Sequence, residues 1–184
     1  MRKASFICLI ALALVLSGAS VGLAKEMAGR IGVGYNGQIA TSYATDFGTD
    51  TVALHSMSAK FWINDDMGIQ GVVGLNTWSL AKTGGYDLAM AGKFLYNIIQ
   101  EQNMNFFTGG GLGLMFVGRD YGKEEKSDVG FNFFGGAGFE WYFQGLPNLG
   151  FSAEIGLQYV DLGKWSEFGS YGGAFTVFGI HYYF

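Results

Sequence analysis

The chain of 184 residues has one cysteine, one proline and two histidines, and each scarcity excludes something. The lone cysteine is Cys8, so everything after it lacks a disulfide framework and a thiolate metal site. His55 and His181 are far apart and leave no His-rich metal centre. No pattern calls for a cofactor. Charged residues make up only 14%, with 11 Lys plus Arg against 15 Asp plus Glu. That acidic balance excludes a basic face for nucleic acid. After the first 24 residues no apolar run is long enough for a membrane helix.

The start of the chain is a separate unit. Arg2 and Lys3 form a positive n-region, Phe6 to Leu16 an apolar run, and Gly22 and Ala24 a small-residue cleavage pattern before Lys25. The run is too short to span a bilayer, so residues 1–24 read as a secretory signal peptide and residues 25–184 as one mature domain. Loss of Arg2 and Lys3 moves the formal charge from −4 to −6 and removes Cys8.

What the rest of the sequence has is glycine (31 residues), aromatic side chains (17%) and alternation. Ile31, Val33 and Tyr35 alternate with Gly32 and Gly34, and Met57, Ala59, Phe61 and Ile63 with Ser58 and Lys60. Ile69, Val73 and Leu75 alternate with Gln70 and Gly74, and Leu88, Met90, Phe94 and Tyr96 with Ala89, Lys93 and Asn97. Leu112, Leu114 and Phe116, then Phe131, Phe133 and Phe139, then Phe151, Ile155 and Leu157, continue the pattern. The last segment sets Phe178, Ile180, Tyr182 and Phe184 against Val177, Gly179, His181 and Tyr183. These eight segments predict an all-β, eight-stranded antiparallel transmembrane barrel, apolar outside and small or polar inside. Short turns at Asn64–Asp66, Gln100–Asn103 and Gln144–Asn148 alternate with expected long loops at Gly37–Val52, Leu80–Gly85, Gly118–Asp128 and Val160–Gly172. The even strand number and this alternation put both termini on the periplasmic side of an outer membrane. Tyr96, Trp141, Phe143, Tyr182 and Phe184 form one expected aromatic girdle, and Tyr35, Phe116 and Tyr159 the other.

The charged inward residues Arg30, Lys60, Lys93, Glu140, Glu154 and His181 come from six strands and predict one lumen layer. A barrel of this size lets side chains meet across it, so cations and carboxylates are expected to pair. Such a layer either seals the barrel and fixes its register or acts as a gate, with His181 as a titrating member. Beyond it, inward Trp78, Leu95, Phe107, Met115, Phe134 and Phe175 face glycines. They either fill the taper or leave an apolar pocket lined by Trp78, Leu95 and Phe134. Gly32 to Gly37 matches G-x-G-x-x-G, but no helix can follow it here. His55 beside Ser56 and Ser58 suggests a hydrolase only weakly, because it lies on the outward face.

The alternation, phrases such as GAGFEWYF and the terminal HYYF resemble the small outer-membrane barrels: OmpA-type transmembrane domains, OmpX and the opacity-like surface antigens. The resemblance covers the whole mature chain. It implies outer-membrane lipid and lipopolysaccharide around the barrel. Phe178, Ile180, Tyr182 and Phe184 would be a C-terminal signal for the barrel assembly machinery. The expected role is non-enzymatic, a structural or adhesive surface protein whose loops, such as Trp165 to Tyr171, meet a ligand. A small pore, or an OmpW-like channel for apolar solutes, is the alternative.

Overall fold

A computed structural model describes residues 26–45, 48–80, 83–120, 125–163, 166–170 and 177–184. The expected signal peptide and Phe175 lie outside them. The described residues form strands β1 (Ile31–Thr45), β2 (Gly48–Trp62), β3 (Met67–Leu80), β4 (Thr83–Gln100), β5 (Met104–Asp120), β6 (Glu125–Phe143), β7 (Leu146–Asp161), β8 (Ser166–Ser170) and β9 (Val177–Tyr183). From β1 to β7 each strand pairs antiparallel with the next. Segments β8 and β9 both pair with β7 and make up the eighth strand, and β9 also pairs with β1, which closes the barrel. The closing strand changes register: Leu157 pairs with Ser170 but Glu154 with Val177, so three steps along β7 face seven along the chain.

The period-2 pattern decides which face is which. Met57, Ile69, Leu75, Leu112, Phe133, Ile155 and Phe178 point outward and are exposed, whereas Lys60, Gln70, Lys93, Asn132, Glu140, Glu154 and His181 point inward and are buried. Apolar outside and polar inside is the arrangement of a barrel that crosses a bilayer, where every backbone group is satisfied by a neighbouring strand. Outward aromatics stack near the terminal end, Trp141 on Phe143 (4.4 Å), Phe143 on Phe151 (5.4 Å) and Tyr182 on Phe184 (5.2 Å). Nearer the other end Phe131 meets Phe133 at 5.4 Å and Tyr159 at 6.4 Å.

The long connections, whose lengths allow either a protruding sheet or irregular loops, are largely strand among the described residues. The stretch from Gly37 to Val52 is paired from Gln38 with His55 to Thr45 with Gly48, and the stretch from Gly118 to Asp128 continues β5 and β6. Of Val160–Gly172, Ser166–Ser170 forms β8, and Leu80 pairs with Thr83 across residues 81–82. Polar, glycine-bearing sequence hid these extensions, because a ribbon in water needs no apolar face toward lipid. The ribbon of β1 and β2 departs from the wall at a register shift between Tyr35 and Gln38, where Gly37 has φ of 32°. A bulge of this kind bends and twists a strand. Past it, β1 no longer pairs with β9, the last such pair being Asn36 with Gly179.

Candidate functional site in the barrel lumen

Inward side chains stack in layers along the axis. At the end where the chain enters and leaves, Met27, Trp62, Leu95, Phe107, Tyr142 and Tyr183 pack into a buried cluster. Above it lies the charged layer. Lys60 Nζ is 3.2 Å from Glu140 Oε1, with both side chains fully buried. Tyr183 Oη donates to the same carboxylate, at 3.0 Å from Oε1 and 2.8 Å from Oε2. Strands β2 and β6 stand four apart around a ring of eight, so this pair ties opposite walls together. A second buried strut joins Lys93 on β4 to Glu154 on β7. Beside it is an internal cavity of about 10 Å³ lined by Lys93, Phe107, Gly109, Phe134, Gly136, Glu154 and Ile155. That is room for a single water and no solute.

His181 joins the first strut. Its Nε2 is hydrogen-bonded to Ser58 Oγ, and its Nδ1 lies 3.8 Å from Glu140 Oε1. Gln70 Nε2 donates to Ser58 Oγ at 3.2 Å and to Asn36 Oδ1 at 3.0 Å. Gly34 sits between Ser58 and His181 on the neighbouring strands. A Cβ there would come within 2.8 Å of His181 Cα, so glycine is what the strand approach requires. The order Ser Oγ to His Nε2, His Nδ1 to carboxylate, is that of a hydrolase triad. The geometry does not support that chemistry. A gap of 3.8 Å is not a hydrogen bond, Lys60 already engages the carboxylate, and Ser58 is 5% exposed with the cavity elsewhere.

Toward the far end, Val72, Ala89, Met115, Val117, Val160 and Leu162 form an apolar cluster, with Phe134 and Val177 packed as a smaller one. Beyond them Arg119 pairs with Asp87 at 2.7 Å, its guanidinium 5.9 Å from the Trp78 ring. That pair was missed from sequence because Gly118 onward reads as loop.

Of the six expected members of the charged layer, Lys60, Lys93, Glu140, Glu154 and His181 meet in the lumen, and Arg30 does not. It precedes β1, donates to Asn148 Oδ1 at 2.6 Å and lies over the Tyr183 ring at 5.5 Å. Trp78, Leu95 and Phe134 do not share a pocket either. Leu95 belongs to the terminal-end cluster, Phe134 packs near Val177, and Trp78 is 38% exposed at the far mouth. Their registers put them at three different heights, which a shared inward parity cannot reveal. Phe178, Ile180, Tyr182 and Phe184 line the outer face of the closing strand, and Phe184 N donates to Ile31 O at 2.9 Å. His55 is exposed and bonded through Nδ1 to Tyr35 Oη at 2.9 Å. Among the described residues no cluster of His, Cys, Asp and Glu is arranged to hold a metal ion.

No protein-family model and no curated protein matches the chain. Solved structures do. Ail, the attachment invasion locus protein of Yersinia pestis, aligns with a TM-score of 0.56 at 17% identity, over 86% of this chain and 100% of its own. Neisserial surface protein A aligns at 0.55 and 15% identity, over 84% and 96%. The N-terminal β-barrel domain of Pseudomonas aeruginosa OprF aligns at 0.54 and 14%, over 87% and 100%. The fold of this chain is therefore that of the small, eight-stranded outer-membrane β-barrels.

Proposed function

We propose that this protein is a non-enzymatic outer-membrane barrel whose activity lies in the strands that project from its far end, the lumen serving as a sealed strut. The observation that carries this reading is the set of open strand edges. Among the described residues, β3 pairs with β2 only as far as Gly74, leaving Leu75–Leu80 paired with β4 alone. Likewise β6 pairs with β7 only from Phe131, leaving Glu125–Gly130 paired with β5 alone. An open edge offers backbone donors and acceptors to an incoming extended segment. Both termini then face the periplasm and the projecting sheet faces outward, in lipopolysaccharide.

The kind of ligand follows from charge. One structure of Ail holds the heparin analogue sucrose octasulfate. Here the projecting strands carry Asp120, Asp128, Asp161 and Glu167 against Arg119 and Lys126, and Arg119 is already paired with Asp87. A polysulfate fits that surface poorly, and a polypeptide strand fits its edges well. The filled lumen argues against the channel alternative.

The test is adhesion of cells displaying the protein to an epithelial layer, with Thr77→Pro and Ser127→Pro blocking the two edges. Proline removes an edge donor and disfavours pairing. The reading expects adhesion to fall severalfold while the barrel inserts normally. Adhesion that is unaltered by both changes together would remove the edges from the function.

A further inference from the structure

We propose that residues 26–30 form a removable strap that stoppers the lumen at its terminal end, held shut by an exposed carboxylate latch. β1 begins at Ile31, and the segment before it is joined to the end of β2 by two backbone bonds, Gly29 N to Trp62 O at 2.8 Å and Trp62 N to Arg30 O at 3.0 Å. It turns beneath the mouth, with Arg30 N bonded to Met27 O at 3.0 Å and Gly29 at φ of 75°, a conformation that favours glycine. One side chain of this turn enters the barrel. Met27 is fully buried against Trp62, Tyr142 and Tyr183, and Tyr142 Oη donates to its thioether sulfur at 3.6 Å. Glu26, Ala28 and Gly29 stay exposed on the underside.

Besides its backbone bonds to Trp62, two side-chain fastenings hold the turn across the mouth. On one side Asp65 Oδ1 accepts from Met27 N at 2.8 Å and Ala28 N at 3.1 Å. The turn that carries Asp65 is itself fixed, its backbone carbonyl accepting from Asn97 at 2.7 Å and Gln100 at 2.9 Å. On the other side Arg30 reaches Asn148, at the start of β7. A single buried methionine, two backbone bonds to the end of β2 and a few side-chain bonds make a locally weak element on a rigid barrel. Above it lies the rest of the buried cluster, Trp62, Leu95, Phe107, Tyr142 and Tyr183, and above that the charged layer with Lys60, Glu140 and His181. Lifting the strap breaks these bonds, including the two backbone bonds to Trp62, and withdraws Met27 from the cluster that separates the charged layer from solvent. This goes beyond the surface role proposed above and does not depend on it.

The test is cysteine accessibility in the full chain, with Cys8→Ser and a reporter Ser152→Cys. Ser152 is buried in the lumen directly across from Glu140 on the neighbouring strand. The refolded barrel in detergent is treated with a charged, water-soluble methanethiosulfonate, and a second protein with Ser127→Cys reports the exposed rate. Slow labelling of the lumen cysteine is expected, rising about tenfold or more with Asp65→Ala, the effect of two lost hydrogen bonds to a carboxylate on an opening equilibrium. Asp65→Asn keeps an acceptor and should rise far less. Met27→Gly leaves the backbone bonds in place, removes the stopper and should label fast. Fast labelling in the parent chain would show that the strap seals nothing. Slow labelling in both Asp65→Ala and Met27→Gly would show that another barrier closes the lumen, and either result overturns the proposal.

Discussion

The two buried struts differ in what surrounds them. Lys60 and Glu140 sit in a continuous set of polar contacts, with Tyr183 on both carboxylate oxygens, His181 alongside, and Ser58, Gln70 and Asn36 behind His181. Lys93 and Glu154 sit beside glycines, two phenylalanines and a cavity of about 10 Å³. Removing a charge from water costs several kcal/mol, and the attraction of its partner repays this only when further hydrogen bonds complete the site. The first strut has that support built from side chains of several strands. The second has a small cavity beside it. A buried ion pair is thus not one kind of object, and these two should respond differently to the same change.

The largest expected effect is at Glu140. Replacing it with Ala strands Lys60 in the lumen and leaves the buried Tyr183 hydroxyl without its acceptor. Breaking a buried pair by removing one partner costs about 3–5 kcal/mol. Urea unfolding of the barrel in lipid vesicles, followed by tryptophan fluorescence, should show a loss in that range. A loss below about 1 kcal/mol would mean that water already reaches Lys60 and that the layer is not sealed.

The comparison sharpens when whole pairs are exchanged for apolar residues of similar size. Lys93→Met with Glu154→Leu removes both charges beside that cavity, so stability should stay within about 1 kcal/mol of the parent or rise. Lys60→Met with Glu140→Leu removes both charges too, but takes the acceptor from Tyr183 and the neighbour from His181. A hydrogen bond to a charged group contributes about 1.5–3 kcal/mol, and losing it is the expected cost of this second exchange. Equal responses in the same urea titration would show that the surroundings do not matter.

Much of this was legible in the sequence, and the reason is physical. A strand between lipid and lumen must alternate, so the parity of Ile31, Phe61, Phe94 and Phe178 on one side and of Lys60, Lys93 and Glu154 on the other could be read residue by residue. Parity gives the face but not the height. That is why Leu95 was grouped with Trp78 and Phe134, although it packs at the opposite end from Trp78. Nor does parity extend past a strand's end, so Arg30 was assigned to the charged layer when it belongs to the strap. Parity puts Tyr183 on the inward face but does not reveal its bond to Glu140, and the inward Trp62 and Tyr142 are masked by their outward neighbours Phe61 and Trp141, which carry the apolar pattern. The projecting strands left no apolar alternation to find, and with them went Asp87 and Arg119.

The smallest effect isolates what makes the first strut different. Tyr183→Phe keeps the ring, which packs 5.9 Å from Tyr142 and lies under Arg30 at 5.5 Å, and removes the hydroxyl that donates to Glu140 and accepts from Trp62 Nε1 at 3.5 Å. A hydrogen bond to a charged group contributes about 1.5–3 kcal/mol. Lys60 remains to hold the carboxylate, so the expected loss lies at the low end, about 1.5 kcal/mol. The same change made on top of Lys60→Met with Glu140→Leu should cost less, because the carboxylate that the hydroxyl serves is no longer there. The difference between the two backgrounds is the coupling energy of tyrosine and carboxylate. A coupling near zero would mean that the tyrosine does not support the strut, and the contrast with Lys93 and Glu154 would then have to rest on His181 and its polar neighbours alone.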